Sequence, residues 1–199
     1  MLFYNMTEFI ETNWVSIAGA IIGLVFLYLE YKANKWMWAA SIAMAAFFIF
    51  IYYKTGLYAS MGIYIYFFFA SIYGWIMWLT RNREEGTGED IISQVGKKYI
   101  PFILSAIIIF AAIICFILVR FSESHIFITL GDALSTSLNI VALWMISRKW
   151  AEQWLLVIPA NLISGLLLFA QHDVMSGCMF IIYFIVSIFG YLNWRKMVK

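Results

Sequence analysis

Charge, proline, cysteine and histidine are all scarce in this chain. Of its 199 residues, 13 are Lys or Arg and 11 are Asp or Glu. That 12% charged share is about half that of an ordinary globular domain, too little to cover a water-exposed surface. Two cysteines, Cys115 and Cys178, lie inside apolar runs without a CxxC or a Cys/His cluster. This excludes a disulfide framework or zinc site and reads both as small buried hydrophobes. His125 and His172 have no partner at ligand spacing, so no metal centre is expected. With no P-loop and no soluble ATPase domain, no cofactor is expected, and no nucleic acid as partner. The short alternating segments of a β-barrel are missing. The first 13 residues hold no Lys or Arg, unlike a cleavable signal peptide, and are expected to form a short interfacial helix.

What the chain has in excess is apolar surface. Hydrophobic residues make up 64% and aromatics 20%, with a mean hydropathy of +0.88. About 20 apolar residues in a helix cross a hydrocarbon core roughly 30 Å thick, and a helix satisfies its own backbone, as lipid demands. Seven spans are predicted: Val15–Tyr31, Trp36–Tyr53, Tyr58–Leu79, Tyr99–Val119, Ile126–Ser147, Trp154–Ala170 and Val174–Trp194. The lipid bilayer is thus the first partner. Only Thr80–Lys98 is hydrophilic at length. Lys32, Lys35, Arg81, Arg83, Lys97, Lys98, Arg148, Lys149, Arg195, Lys196 and Lys199 fall on one side, and only Lys54 and Arg120 on the other. The positive-inside rule then puts the C-terminus in the cytoplasm and the N-terminus outside.

An internal repeat organises these spans. At an offset of 116, residues 15–78 align without gaps on 131–194, pairing Trp38 with Trp154, Ser60 with Ser176 and Phe68 with Phe184. The best stretch sets Ser71-Ile72-Tyr73-Gly74-Trp75-Ile76-Met77-Trp78 against Ser187-Ile188-Phe189-Gly190-Tyr191-Leu192-Asn193-Trp194. Each repeat holds three spans with one between, so both share one membrane orientation. Small transporters built this way place substrate between repeats near the midplane. The expected fold is an all-α membrane protein of seven transmembrane helices. Its parts are an outer N-terminal segment (1–14), a first three-helix repeat (15–79), a cytoplasmic linker (80–98), a connecting transmembrane helix (99–119), a second three-helix repeat (126–194) and a cytoplasmic tail (195–199).

The segments LYASMGIYIYFFFASIYGWIMW and GDALSTSLNIVALWMISRKWAEQWLLVIPANLISGLLLF resemble the PnuC-type vitamin transporters, which include nicotinamide riboside permeases and a thiamine branch, PnuT. The likeness runs from about Trp14 to Trp194, on L-Y-A-x before the third span, I-Y-G-W-x-x-W ending it and R-K-x-x-E-x-W-L-L entering the sixth. It implies a 3+1+3, SWEET-like bundle, a homotrimer, and facilitated diffusion of a small-molecule vitamin at the inner membrane of a bacterium. A cytoplasmic vitamin kinase would be the functional partner, trapping substrate by phosphorylation.

Polar residues at bilayer depth are costly and mark candidate pathways. Asp132, Ser135, Thr136 and Asn139 occupy one face of the fifth span at i, i+3, i+4 and i+7. The alternative is that they stitch helices together. Trp154 and Asn161 share a face of the sixth span, with Pro159 close by to free a backbone carbonyl. Asn161 matches the position where the family usually carries Asn. Tyr64, its repeat mate Phe180, and Tyr183 add aromatic surface. Glu30 ends the first span as a surface carboxylate or a gating or ion-linked group. An intramembrane enzyme would need a nucleophile–base pair or an aspartyl dyad, and Asp132 stands alone in its span. A non-transporting scaffold subunit would leave the polar face of the fifth span without a purpose.

Nicotinamide riboside and thiamine both present a flat cationic ring that suits aromatic faces and a carboxylate. Resemblance to the riboside branch implies Asn in the second span, Gln in the third and often an acidic residue in the seventh. This chain has Met44, Tyr64 and Met179 there. The expectation from these departures is thiamine, held by Tyr64, Trp154, Tyr183, Asn161, Asn139 and Asp132, with nicotinamide riboside the alternative.

Overall fold

A computed structural model describes residues 2–56, 58–80, 92–121 and 126–198, without the side chains of residues 2–13, 16, 59, 60 and 121. The long elements are all helices: α1 Leu2–Tyr31, α2 Met37–Thr55, α3 Tyr58–Thr80, α4 Ile100–Phe121, α5 Ile126–Ser147, α6 Trp154–Ala170 and α7 Val174–Met197. The bounds expected for the last six spans hold to within three residues. The N-terminal segment is corrected. It forms no separate interfacial helix but continues into α1 over 30 residues, about 45 Å of helix. Six helices are long and apolar enough to cross a bilayer, and the apolar stretch of α1, Ile17–Tyr31, is shorter. Of the hydrophilic linker, residues 81–91 lie outside the described residues, as do His125 and the side chain of Ser60.

Turns that lie 116 residues apart share their backbone geometry. Among the described residues four have a left-handed φ: Ala33 (50°), Gly56 (73°), Lys149 (58°) and His172 (64°). They form two pairs at the 116-residue offset. After α1, Ala33 N–H donates to Glu30 O at 2.9 Å and Asn34 N–H to Leu29 O at 2.9 Å. After α5, Lys149 N–H donates to Ile146 O at 2.9 Å and Trp150 N–H to Met145 O at 3.3 Å. Gly56 caps α2 by donating to Tyr53 O, and His172 at the end of α6 donates to Phe169 O. A left-handed residue is a common way to satisfy the last carbonyls of a helix. Glycine meets that need without strain at 56, whereas alanine, lysine and histidine accept some strain at the other three.

The contacts divide the chain into Met1–Trp75 and Ile76–Lys199, so the last turn of α3 belongs with the second unit. In the first, α1 packs on α2, and the fully buried Trp38 of α2 lies against Gly74 of α3 so closely that a Cβ there would overlap the ring. In the second, α5 packs on α4 and α6, and α6 on α7. There Trp154, also fully buried, lies over Gly190, where a Cβ would sit 2.6 Å from its ring. The hydroxyls of Ser71 and Ser187 donate back one turn, to Phe67 O at 2.7 Å and Tyr183 O at 2.6 Å. The apolar residues facing outward, such as Ile108 and Phe116 on α4, suit lipid as solvent. For the same reason the cysteines depart from expectation: Cys115 is half-buried and Cys178 exposed. Burial inside the protein brings an apolar group no gain when the alternative is hydrocarbon.

Replacing Gly190 by Val should force Trp154 from its seat and cost about 1–3 kcal/mol. Gly62→Ala, where a Cβ meets nothing within 4 Å, should cost nothing; thermal unfolding in detergent compares the two. The Asp173 carboxylate, just outside α7, accepts the Ser176 N–H at 3.0 Å. Its hydrogen bonds with Ser176 hold its carboxyl below the usual 3.8. This cap therefore stabilises α7 fully above pH 3.8 and fails as pH falls through the depressed value. Asp173→Ala should cost about 0.5–2 kcal/mol at neutral pH, and the gap from wild type should close on strong acidification.

Candidate functional site

Within the second unit, α6 and α7 meet along small residues. A Cβ at Gly165 would lie 3.2 Å from Ile181, and one at Gly177 would lie 2.9 Å from Phe169. Close approach of this kind lets polar side chains reach across. Asn161, 7% exposed, donates its side-chain N–H to Ser187 Oγ at 3.0 Å. Ser187 Oγ has one proton, and it goes to Tyr183 O. Toward asparagine it can therefore only accept, which fixes the orientation of the amide. One N–H of Asn161 is thus committed to α7, and its carbonyl oxygen points elsewhere. Pro159, inside α6, has no N–H and leaves the carbonyl of Leu155 without its usual helical donor. On α7, Phe180 and Tyr183 stack edge to face at 5.7 Å, and both are half-buried.

On α5 the four polar residues divide by role. Ser135, fully buried, returns its hydroxyl to Asp132 O at 3.1 Å; it packs the helix. Thr136 is hydrogen-bonded to the Asp132 carboxylate. Asp132 is exposed and Asn139 half-buried. Trp154 is fully enclosed. It has no exposed surface, sits over Gly190, and meets Trp194 edge-on at 6.0 Å. Its indole N–H is buried without an acceptor among the described residues, a cost of about 1–3 kcal/mol that a polar ligand atom would remove.

In the first unit Tyr64 belongs to an aromatic cluster, with ring centroids 4.9 Å from Phe48, 5.4 Å from Tyr52 and 5.9 Å from Phe67. Its hydroxyl is hydrogen-bonded with Tyr52. Met44 is half-buried on α2. Glu30 is 5% exposed, so it is a buried carboxylate and not the surface group expected at a helix end. Among the described residues no group of His, Cys, Asp or Glu could hold a metal.

Comparing equivalent positions shows what the sequence reading missed. Ser71 is bonded by Ser41 at 2.7 Å, while its mate Ser187 is bonded by Asn161. The position equivalent to Asn161 is Ala45, 2% exposed. Ser187 stood in plain view as an identical pair in the repeat, yet its identity with Ser71 hid the fact that the two serve different partners. Phe48 and Tyr52 were lost among 18 Phe and 12 Tyr residues.

Residues 13–196 match the family described as nicotinamide mononucleotide transporter. Among curated proteins, the nicotinamide riboside transporter PnuC of Escherichia coli (strain K12) is 24% identical over 209 residues, covering 92% of this chain and 86% of the relative. PnuC of Haemophilus influenzae is 23% identical over 191 residues, covering 94% and 81%. The riboflavin/roseoflavin transporter RibM of Streptomyces davaonensis is 25% identical over 187 residues, covering 91% and 84%. A crystal structure of the vitamin B3 transporter PnuC superposes with a TM-score of 0.74 at 17% identity, over 98% of this chain and 86% of that one. That likeness shows the fold.

The Asn161–Ser187 bond should register in a double-mutant cycle of Asn161→Ala and Ser187→Ala. A coupling of about 0.6 kcal/mol, and no more than about 1.7, is expected for one hydrogen bond between membrane helices. Additive losses in unfolding free energy would show that the two side chains do not interact.

Proposed function

Since the chain belongs to the nicotinamide mononucleotide transporter family, we propose that it carries nicotinamide riboside down its gradient across the inner membrane of a bacterium. It is a membrane transporter of a vitamin-type substrate and not an enzyme. Phosphorylation in the cytoplasm would then trap what enters. Thiamine, expected from Met44, Tyr64 and Met179, is named by none of the relatives described above. Nicotinamide riboside, the alternative, is named by two of them.

The observation that carries this reading is the buried amide of Asn161, oriented by Ser187 at a position where the equivalent residue is Ala45. A carboxamide offers one acceptor and two donors. An asparagine with its carbonyl turned away from α7 can meet such a group with complementary hydrogen bonds. Buried polar groups of this kind penalise ligands that leave them unpaired far more than an apolar wall does. Tyr183 and Phe180 supply aromatic surface for a cationic ring, and Asp132 supplies charge. For the architecture we propose α1–α3 and α5–α7 as two parallel repeats linked by α4, with the C-terminus cytoplasmic. Paired turns at the 116-residue offset and the one-sided Lys and Arg distribution support it.

In proteoliposomes without ATP, labelled nicotinamide riboside should equilibrate faster than through empty liposomes. Asn161→Ala should slow uptake at least tenfold, about 1.4 kcal/mol or more, in protein that still folds. Unlabelled thiamine and riboflavin serve as competitors. If labelled thiamine or riboflavin enters and the riboside does not, the substrate assignment is overturned.

A further inference from the structure

On the side that the Lys and Arg distribution marks as cytoplasmic, three indole rings of the second unit stand side by side. Trp194 lies 6.2 Å from Trp78 and 6.0 Å from Trp154, centroid to centroid. Trp78 is in the last turn of α3, Trp154 opens α6 and Trp194 is in the last turn of α7. None of the three exposes any surface, and Trp154 rests on Gly190 with no space between them for a Cβ. Asn161 lies seven residues beyond Trp154 on α6, and Ser187 seven residues before Trp194 on α7. Two helical turns measure about 10 Å. The bonded pair Asn161–Ser187 is therefore about 10 Å deeper than the rings, which close off the cytoplasmic ends of α6 and α7.

The end of α5 holds Trp78 at two points. The indole N–H of Trp78 donates to Ile146 O at 2.8 Å. Its carbonyl lies in the last turn of α3, where helical donors run out, and accepts from the Lys149 ammonium at 3.3 Å. The same ammonium sits 5.2 Å over the Trp78 ring. Lys149 is 1% exposed, and a cation so far from water is costly unless contacts of this kind offset it. The turn does not require the charge, because Ala33 forms the turn 116 residues earlier at a similar left-handed φ. What the charge does is hold Trp78.

We propose that Trp78, Trp194 and Trp154 form the cytoplasmic barrier beneath the transport site, and that Lys149 is the positioning residue that keeps Trp78 in it. Lys149 touches no substrate; it clamps Trp78 against Trp194, which backs Trp154. Small residues and the Asn161–Ser187 bond tie α6 to α7, so Trp154 and Trp194 move together. The barrier parts between Trp194 and Trp78. This inference rests on the transport reading above and on the orientation proposed with it.

The test has two arms. In the first, Asn161→Cys is the reporter in a full chain carrying Cys115→Ala and Cys178→Ala. A membrane-impermeant methanethiosulfonate reagent is applied from the cytoplasmic side of oriented vesicles. Labelling should be slow in this parent and at least tenfold faster with Lys149→Met. Lys149→Arg keeps a cation over the ring and should largely restore slow labelling. Lys196→Gln, an exposed charge outside the layer, should change nothing. Trp78→Phe, which loses the bond to Ile146 O, should speed labelling by a smaller factor and decides the matter if Lys149→Met fails to fold. The second arm measures uptake of labelled nicotinamide riboside from the outer side. Lys149→Met should raise KM at least threefold, because fewer molecules present an outward site, and should keep the maximal rate per folded molecule within twofold. A merely structural role would lower the maximal rate at unchanged KM. The first arm involves no substrate, so if it succeeds while no riboside enters, the substrate assignment falls and the barrier stands. Rapid labelling of the parent, equal labelling with and without Lys149, or a lost maximal rate at unchanged KM overturns the proposal.

Discussion

Inside a bilayer an apolar side chain gains little by leaving lipid for protein, so helices must be held by close fit and by hydrogen bonds. In this protein the closest fit is an indole ring laid on a glycine, and the helix packing is built around it. Trp38 on Gly74 and Trp154 on Gly190 make the same contact at the same repeat positions. All four residues are buried. Because the glycine removes a whole side chain from the interface, α7 approaches α6 closely enough for Asn161 to reach Ser187. The polar link thus depends on the packing contact a turn away, and the orientation of the amide depends on the polar link.

Matching positions at the 116-residue offset make the differences between them informative. The turns, the tryptophan–glycine contacts and the back-bonded serines recur; backbone geometry demands them. Where Asn161 stands against Ala45, and Tyr183 against Phe67, geometry demands nothing and the side chains have diverged. The polar residues concentrate in α5–α7, while the first unit carries the aromatic cluster of Phe48, Tyr52 and Tyr64. Lys149 shows the same divergence, since it occupies a turn that Ala33 forms without charge.

Helix positions and the family were legible in the sequence for plain reasons. Lipid forces unbroken apolar runs of fixed length, so composition along the chain reads out helix bounds nearly residue by residue. Repeat identity survives as aligned tryptophans and glycines because each pair must match in shape. Candidate roles were less legible. The periodicity of Asp132, Ser135, Thr136 and Asn139 placed them on one face of α5, yet they differ in partner and exposure. Trp154 could be read as a ligand ring or an interface anchor, and only the structure shows that it is fully buried over Gly190.

What the sequence by itself determined is the number, extent and family of the helices, because these depend on hydrophobicity and on local spacing along one chain. What only the tertiary structure decided is which side chains are spoken for. Ser187 accepts from Asn161 because its single proton is already given to Tyr183 O. Lys149 lies over Trp78, 71 residues away in the chain. Such facts concern distances between helices, and hydrogen bonds and cation–π contacts fall away within an ångström or two. No pattern along the chain encodes separation at that scale.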